Sequence, residues 1–376
     1  MGVPHQRDEV YDLAIIGGGP AGVAAALSAR QLRPQLRVAI VEASRYNEWR
    51  AGETLSPGCQ EILRGLGCWE SFLSAGFTES VGTRAVWGGE EPYDNEFLFS
   101  LRGNGWHVDR ARFDALLWQS AQEAGAETMS GARLCGVERR GATFYLQLRN
   151  PSFDASIQAR FVIDASGRQA SFASKCGARA LVDDRLIGVC GLLQGTSRDT
   201  TTLIEAQSDG WWYSSLLPGS RVIVVWMSDT DLVRQQGLCD PDRWIERLNR
   251  SEWTCARTSR ALLEPLRVWT AYSKRLSQVH GEGWVAAGDA ATTYDPLSSL
   301  GILKALRAGK IASFVALDAL EGRDSAHRYE KLVADEYANY CETKRWFYSE
   351  EQRWSTSPFW QRRMIGDGSK WQKAKN

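Results

Sequence analysis

Six consecutive residues near the N-terminus, Gly17-Gly18-Gly19-Pro20-Ala21-Gly22, match the pattern G-x-G-x-x-G. Gly17 permits a tight turn, Gly19 lets the backbone approach a pyrophosphate, and Gly22 allows a helix to pack closely on a strand. Glu42 lies 20 residues beyond Gly22, where its carboxylate can accept hydrogen bonds from the ribose of an adenosine. These residue types at this spacing predict a dinucleotide-binding site.

The elements around this loop have the order that such a site requires. The apolar run at residues 13–16 is typical of a buried parallel strand, residues 21–31 suit a helix, and residues 38–41 form a second buried strand. In this β-α-β order the helix N-terminus faces the phosphates with free N–H groups. The glycine pattern alone is weak evidence, and the matching elements strengthen it.

Two acidic turns later in the chain also follow predicted strands. Residues 164–168, Asp-Ala-Ser-Gly-Arg, end one strand, and Gly288-Asp289 follows the buried-strand pattern of residues 284–287. An acid at the second turn can accept a hydrogen bond from a ribityl hydroxyl, and a helix after Pro296 directs free N–H groups at negative charge on a flavin ring. These features favour FAD over NAD as the dinucleotide.

The rest of the chain divides into helical and strand-rich segments. Helices are predicted from Ser56-Pro57 to about Leu66, at residues 110–123, 230–250 and 299–320, and over residues 327–360. Antiparallel strands are predicted over residues 134–163 and 186–227, with a hairpin turn at Pro218-Gly219. We therefore predict an α/β fold with a discontinuous Rossmann-like FAD-binding domain (residues 1–82, 105–180 and 270–325), an inserted β-rich substrate domain (83–104 and 181–269) and C-terminal helices (326–376).

Composition narrows the class of protein. The 376 residues carry 45 basic and 45 acidic side chains, and this balance argues against a nucleic-acid partner. The eight cysteines include no C-x-x-C pair, so neither a metal site nor a disulfide framework is expected. The polar N-terminus does not match a secretory signal, and no apolar run is long enough to span a bilayer in comfort. A cytoplasmic, soluble protein is expected.

The three flavin-related motifs together resemble the FAD-dependent aromatic hydroxylase class, which implies its type of FAD-binding domain. The segments at residues 50–57 and 109–114 resemble those of flavin-dependent tryptophan halogenases. This resemblance implies that Arg110, in the second segment, approaches the cofactor. The halogenase W-x-W-x-I-P signature is replaced here by residues 210–218. Halogenases also use a lysine from the N-terminal half, and this chain has no lysine before Lys175. The resemblance therefore argues against halogenation.

Residues 210–214, 295–299 and 353–360 look more like the flavoprotein maturases of cysteine tryptophylquinone oxidases. That resemblance covers nearly the whole chain. It implies a monooxygenase that uses dioxygen to hydroxylate a tryptophan in the precursor of a partner amino-acid oxidase. The alternatives are a small-molecule halogenase, hydroxylase or reductase of secondary metabolism, and a flavin-containing chaperone of the precursor. Only one dinucleotide fingerprint is present, so the sequence does not identify the electron donor.

Few residues stand out as acid, base or substrate contact. Glu53 and His107 are candidates because of their positions in motifs near the flavin, although a strand histidine with one backbone hydrogen bond is the commoner reading for His107. Trp212 is a candidate wall of a dry pocket in the β-rich domain, with ordinary sheet packing as the alternative. The predicted cofactor contacts are Gly17, Gly19, Pro20, Ala21, Gly22, Glu42, Ala43, Arg50, Arg110, Asp164, Gly167, Gly288, Asp289, Pro296, Ser299 and Gly301.

Overall fold

A computed structural model of the chain describes residues 10–97, 102–150 and 153–364. The portions of the predicted domains that fall at residues 1–9, 98–101, 151–152 and 365–376 lie outside the described residues. The strands are β1 Val10–Ile16, β2 Val38–Glu42, β3 Thr54–Leu55, β4 Thr78–Ser80, β5 Gly82–Val86, β6 Tyr93–Glu96, β7 Gly105–His107, β8 Glu127–Ser130, β9 Arg133–Arg140, β10 Thr143–Asn150, β11 Phe153–Asp164, β12 Ala180–Val182, β13 Leu186–Gly195, β14 Thr202–Gln207, β15 Gly210–Leu217, β16 Arg221–Asp229, β17 Thr258–Leu262, β18 Arg267–Thr270, β19 Lys274–Leu276, β20 His280–Gly281, β21 Trp284–Ala286 and β22 Thr292–Thr293.

The helices lie mostly where the sequence predicts them. They are α1 Pro20–Leu32, α2 Cys59–Gly65, α3 Trp69–Ser74, α4 Arg110–Glu123, α5 Ser171–Lys175, α6 Thr230–Gln236, α7 Pro241–Asn249, α8 Trp253–Ala256, α9 Gly301–Leu320, α10 Ala326–Glu350 and α11 Pro358–Met364. Three predictions differ in detail. Helix α2 begins after Pro57 with Gly58 as its N-cap, the segment at residues 230–250 is broken at Gly237 (φ +65°), and the C-terminal segment is two helices.

The described chain forms two compact units. The first contains the residues up to Phe77, Val108–Asp183 and Ser273–Tyr337; the second contains Thr78–His107, Asp184–Tyr272 and the described residues from Ala338 onward. The boundaries that the sequence predicts for the domains stay a prediction. No helix in the described ranges is long and apolar enough to cross a membrane.

The first unit is built on a sheet with the order β20-β21-β11-β1-β2-β8, and β9 and β10 extend it as an antiparallel meander on β11. The central strands β2, β1, β11 and β21 are parallel, and their carboxyl ends align at Val41, Ile16, Asp164 and Ala286. Strand β1 is fully buried at residues 13–15, as expected for a parallel strand covered on both faces. Ligands of such sheets bind beyond these carboxyl ends, where the strand order reverses.

The second unit is a mainly antiparallel sheet with the order β17-β13-β16-β15-β14-β5-β6, in which only β14 and β5 pair in parallel among the neighbours of this path. The predicted hairpin joins β15 and β16 at Pro218-Gly219, where Gly219 adopts φ +79°. One apolar cluster centres on Trp212, Trp226 and Trp244, which are fully buried. The mixed α/β architecture that the sequence predicts is confirmed.

Candidate functional site

The glycine loop after β1 has the backbone that its residue types require. Gly17 adopts φ +110°, and a Cβ there would lie 2.2 Å from the Ala165 carbonyl oxygen. A Cβ at Gly22 would lie 1.8 Å from the Gly17 carbonyl oxygen, so only glycine lets α1 start this close to the loop. At Gly19, in contrast, no described atom lies within 4 Å of an added Cβ. The loop is therefore closed on its protein side and open at Gly19.

The N-terminus of α1 opens into the same space. Gly19 is its N-cap, Pro20 is its first residue, and no side chain among the described residues caps it. Pro20 and Ala21 are buried beneath the loop. The second helix that converges here is α9, because a Cβ at Gly309 would lie 1.9 Å from the Ala21 carbonyl oxygen. Free N–H groups and the positive end of the α1 dipole favour a phosphate at this point.

Glu42, at the end of β2, is held by the loop next to it. Its Oε2 accepts a hydrogen bond from Gly18 N (2.8 Å) and its Oε1 accepts one from Ser44 N (2.8 Å) and one from Arg50 Nη2 (2.9 Å). Burial raises the pKa of Glu42, but these donors outweigh burial, so the net pKa is lowered and the carboxylate is charged. Ala43 follows it and is exposed.

Asp114 contacts both Arg50 and Arg110, and it was not predicted as a site residue from the sequence. Its fully buried carboxylate accepts from Arg50 Nη1 at 3.0 Å and from Arg110 Nη2 at 3.1 Å. Arg110 also donates to the Ala51 carbonyl at 2.8 Å, and it begins α4 because Asp109 caps that helix. The i,i+4 spacing of Arg110 and Asp114 is the signal that could have identified this pair.

Asp164 organises the turn after β11. Its Oδ1 accepts from Ser166 N (3.0 Å) and Ser166 Oγ (2.6 Å), and its Oδ2 accepts from Phe172 N (2.9 Å) and Ala173 N (2.7 Å) at the start of α5. The side chain is fully buried. Gly167, in contrast, adopts φ +68° with no described atom within 4 Å of an added Cβ. Asp164 shapes the turn, and its contact with the cofactor stays a prediction.

Asp289 follows Gly288 on a short 3-10 turn after β21, and it carries a lysine partner that sequence reasoning missed. Lys304 Nζ donates to Asp289 Oδ1 at 2.9 Å and to the Thr292 carbonyl, and the ammonium lies 4.3 Å from the centre of the Tyr294 ring. Burial raises the pKa of Asp289, but Lys304 and Arg168 outweigh burial and lower the pKa overall. The Asp289 side chain remains 36% exposed, which leaves it accessible to a ligand hydroxyl.

Lys304 lies three residues into α9, so its position within the predicted helix is the signal that could have identified it. Its side chain is only 7% exposed, and burial lowers its pKa more than Asp289 raises it. Lys274 is a second buried lysine of this unit, which donates to the Arg168 carbonyl. Both ammonium groups are therefore engaged by oxygen acceptors.

The turn from Pro296 to Gly301 leads into α9. Asp295 Oδ1 accepts from Leu297 N at 2.9 Å and starts a 3-10 turn, and Ser299 then adopts the left-handed conformation (φ +51°). The 20-residue helix α9 begins at Gly301 with no capping side chain among the described residues, and an added Cβ at Gly301 would meet no described atom within 4 Å. The helix presents an open N-terminus, as at α1.

Glu53 is the one predicted catalytic residue in this unit, and it is buried without a full set of partners. It is 3% exposed, and its Oε1 has no hydrogen-bond partner among the described residues. Its own backbone is fixed because the carbonyl accepts from Val108 N at 2.8 Å. Burial raises the pKa of Glu53 to about 7, against the lowering effect of Arg110. The carboxyl can thus hold or release a proton near neutral pH.

His107 and Trp212 belong to the β-rich unit. His107 is fully buried and both ring nitrogens are hydrogen-bonded, Nδ1 with the Leu216 carbonyl at 3.0 Å and Nε2 with Thr202 Oγ1 at 2.9 Å. Burial lowers the pKa of His107 to about 4, so the ring is neutral. Trp212 has no exposed surface and packs 4.9 Å from Trp226 between ring centres. The surroundings of His107 are those of a core residue, whereas Trp212 Nε1 has no hydrogen-bond partner among the described residues. A catalytic role for either stays a prediction.

Comparison with known proteins identifies the dinucleotide that this site binds. Residues 10–307 match the model of a family described as FAD binding domain. The chain belongs to this FAD binding domain family. It is an FAD-dependent oxidoreductase, as predicted, and FAD is its cofactor.

Several proteins with known names are similar to this chain in sequence or in fold. It is 28% identical to the FAD-dependent oxidoreductase LodB of Marinomonas mediterranea over 94% of this chain and 97% of LodB. It shares its fold with the myxobacterial chondrochloren halogenase CndH (TM-score 0.85, 24% identity, 97% and 89% of the two chains). It also shares its fold with the peptidyl tryptophan dihydroxylase QhpG (TM-score 0.77, 23% identity, 94% and 79%). The predicted resemblance is confirmed.

The described residues fit FAD. The open space beside Gly19, in the glycine loop after β1, can accommodate the pyrophosphate, and the partly exposed carboxylate of Asp289 can accept a hydrogen bond from a ribityl hydroxyl. The uncapped N-terminus of α9 suits the negative charge of a reduced flavin ring. The individual contacts predicted for the cofactor remain proposals.

Proposed function

We propose that this FAD-dependent oxidoreductase is a monooxygenase that hydroxylates a tryptophan of a precursor protein. The modification belongs to the biogenesis of a cysteine tryptophylquinone cofactor in a partner amino-acid oxidase. Support for a protein substrate comes from QhpG, which is named as essential for tryptophylquinone cofactor biogenesis and has the same fold over 94% of this chain. The similarity to LodB over nearly the full length of both chains agrees with the FAD-dependent oxidoreductase activity on which this proposal rests.

The observation that carries hydroxylation over halogenation is the placement of the lysines. Halogenases need a lysine from the N-terminal half, and the first lysine of this chain is Lys175. The buried lysines of the first unit do not replace it, because Lys304 is bonded to Asp289 and Lys274 to a backbone carbonyl. Neither of these two ammonium groups is therefore free to carry a halogenating species.

The proposed reaction balances with dioxygen and two electrons. One oxygen atom enters a C–H bond of the indole, and the other leaves as water with two protons and two electrons. FAD, when bound and reduced, supplies the electrons that activate dioxygen. The electrons reach it from an external donor, because the chain has a single dinucleotide fingerprint.

The residues of the chain supply binding, orientation and a proton. The open α1 and α9 N-termini bind and orient the cofactor, and Lys304 holds the Asp289 carboxylate in place. Glu53 holds a proton below its pKa of about 7, and its unpartnered Oε1 is the atom that can release or take up that proton. Burial of Glu53 keeps water away from this exchange.

Mass spectrometry of the precursor tests the proposal. Full-length protein with FAD, a chemical reductant and ¹⁸O₂ is incubated with the unmodified precursor of a tryptophylquinone-containing amino-acid oxidase. We expect one labelled oxygen atom per hydroxylation on a tryptophan, and none with Gly19→Leu, which should lack FAD. Halogenation of free tryptophan with bromide, or precursor binding without a mass change, would contradict the proposal in favour of a halogenase or a chaperone.

We also infer that the protein works in a reducing compartment such as the cytoplasm. All eight cysteines are free, and four of them are buried. Burial raises the pKa of Cys59 to about 12, which keeps that thiol protonated and unreactive. Thiol titration of freshly purified protein, unfolded in denaturant without reductant so that the buried thiols react, should find eight free thiols, whereas a lower count would contradict the inference.

A further inference from the structure

Two of the three histidines in the described part of the chain converge on one glutamate, away from the dinucleotide loop. His280 lies on β20, at the edge of the sheet, and His327 and Glu330 lie within the first five residues of α10. One ligand atom from each residue lies within 4.8 Å of the others. All three belong to the first unit. We propose that this His280–His327–Glu330 cluster binds one divalent transition-metal ion of the Zn²⁺ class.

The distances suit three corners of a tetrahedral site. Glu330 Oε2 lies 3.3 Å from His280 Nε2 and 3.9 Å from His327 Nδ1. With metal–ligand bonds of about 2.0–2.1 Å, neighbouring ligand atoms of a tetrahedral Zn²⁺ site are roughly 3.3 Å apart. His280 and Glu330 already have this separation. The ligand atom of His327 lies farther away, within 4.8 Å of the other two, so the His327 ring must move inward to complete the site; its side chain is 77% exposed.

The surroundings of His327 support ligation through Nδ1. Its other ring nitrogen, Nε2, lies 3.9 Å from Asp324 Oδ2. A histidine that binds a metal usually donates its second ring N–H to a carboxylate, which fixes the tautomer and the ring orientation. A rotation of the exposed His327 ring that closes this 3.9 Å gap would make Asp324 such a carboxylate.

The ligand set selects the class of ion. Two imidazoles and one carboxylate suit Zn²⁺, Co²⁺ and Ni²⁺, whereas Mg²⁺ and Ca²⁺ prefer sets made of oxygen alone. Three protein ligands leave a fourth position for water, and Glu330 (46% exposed) is accessible from solvent. Because the ligands come from β20 and α10, a bound ion would fix the first turn of the helix to the strand and stabilise the folded chain.

Calorimetric titration of the full-length, tag-free protein with ZnCl₂ tests the site, because a histidine tag would bind the same ions. We expect one equivalent of Zn²⁺ and a rise in the thermal midpoint. His327→Ala and Glu330→Gln should each weaken binding at least 10-fold, and Asp324→Asn should weaken it about 10-fold. Asp335→Asn is the matched control, since Asp335 lies on the same helix and pairs with the exposed Lys331. Its affinity should equal that of the wild type.

Two further measurements, the absorption of bound Co²⁺ and the FAD content, distinguish loss of the metal site from loss of the fold. Co²⁺ in a four-coordinate site should add an absorption band at wavelengths beyond that of oxidised flavin, and the band should vanish in Glu330→Gln. Unchanged FAD content in each variant shows that the first unit is folded. The proposal is wrong if the wild type does not bind Zn²⁺, or if His280→Ala/His327→Ala binds it as tightly as the wild type, which would assign the ion to cysteines.

Discussion

Glu53 in the first unit and His107 in the second are both buried titratable groups, but they differ in their hydrogen-bond partners and in the direction of their pKa shifts. In the first unit, Glu53 Oε1 has no partner among the described residues and its pKa is raised to about 7. In the second, His107 has partners at both ring nitrogens and its pKa is lowered to about 4. A buried polar group without a partner costs stability, so the unpartnered carboxyl oxygen of Glu53 calls for an explanation that the fully hydrogen-bonded His107 ring does not.

The pH dependence of stability has opposite signs for these two groups. Between pH 4.5 and about 7 folded Glu53 keeps a proton that the unfolded chain has lost, so it makes the fold less stable as pH rises. Folded His107 lacks a proton that the unfolded chain binds between about pH 4 and 6.5, so it makes the fold less stable as pH falls. Substitutions in each unit can test this contrast.

The largest effect is expected in the aromatic packing of the second unit. Trp360 is fully buried, packs on Trp87 at 5.2 Å between ring centres, and donates from Nε1 to the Gln207 carbonyl at 2.9 Å. Trp360→Ala should lower the free energy of unfolding by about 3–5 kcal/mol, measured by urea denaturation. Trp346→Ala is the control, because Trp346 is 56% exposed, and its loss should stay within about 0.5 kcal/mol. Equal losses would contradict the assignment of Trp360 to the core.

Glu53→Gln should change the pH dependence of stability. The substitution removes a carboxyl whose burial becomes costly as pH rises, so the variant should gain stability relative to the wild type between pH 5 and pH 8. The gain is roughly 3 kcal/mol, from the difference between a pKa of about 7 and one of 4.5. Urea denaturation at both pH values measures it, with the exposed Glu61→Gln as control. A pH-independent difference would show that Glu53 is not protonated in the fold.

Two glycine substitutions should separate folding from cofactor binding in the first unit. Gly22→Ala places a Cβ 1.8 Å from the Gly17 carbonyl oxygen. It should lower the free energy of unfolding by about 1–3 kcal/mol and also abolish FAD binding. An added Cβ at Gly19 meets no described atom within 4 Å, so the FAD-free Gly19→Ala protein should keep the thermal midpoint of the FAD-free wild type. Its FAD affinity should fall, because the methyl group occupies the space proposed for the pyrophosphate. Thermal denaturation and the flavin absorbance measure both quantities. Retention of FAD by Gly19→Ala with wild-type affinity would argue against this loop as the pyrophosphate site.

The smallest change in stability is expected at two aspartates that cap helix N-termini in the same way. Asp109 accepts from Ala111 N and Arg112 N at the start of α4, and Asp240 accepts from two backbone N–H groups at the start of α7. Each change to alanine should cost about 1 kcal/mol. FAD affinity should fall only for Asp109→Ala, since α4 begins with Arg110. Equal FAD affinity in the two variants would remove α4 from the cofactor site.

The sequence predicted the first unit well because its signals are local. The glycine spacing, the apolar strands at residues 13–16 and 38–41 and the helix at residues 110–123 all appear at or within a few residues of the predicted places. Lys304 and Asp114 escaped the prediction as site residues because their roles depend on which carboxylate or arginine the fold places beside them. Glu53 was chosen by its motif, but its missing partner is a property of the packing.

The tryptophans show the opposite case. The predicted domain boundaries put Trp87 and Trp211 in the β-rich domain and Trp360 in a separate group, the C-terminal helices. In the second unit Trp87 contacts both Trp211 and Trp360, and Trp211 Nε1 donates to Tyr348 Oη at 3.1 Å. The two groups are thus one buried cluster, assembled from residues more than 100 positions apart.

The sequence by itself determined the dinucleotide loop, the FAD class and the argument against halogenation, because glycine spacing, strand periodicity and the absence of lysine before Lys175 are properties of the chain in one dimension. Only the tertiary structure decided which buried polar groups have partners. Long-range packing leaves Glu53 unsatisfied, satisfies His107, pairs Lys304 with Asp289 and brings His280 to Glu330. Hydrogen-bond satisfaction depends on neighbours that are distant in sequence, and no local pattern encodes them.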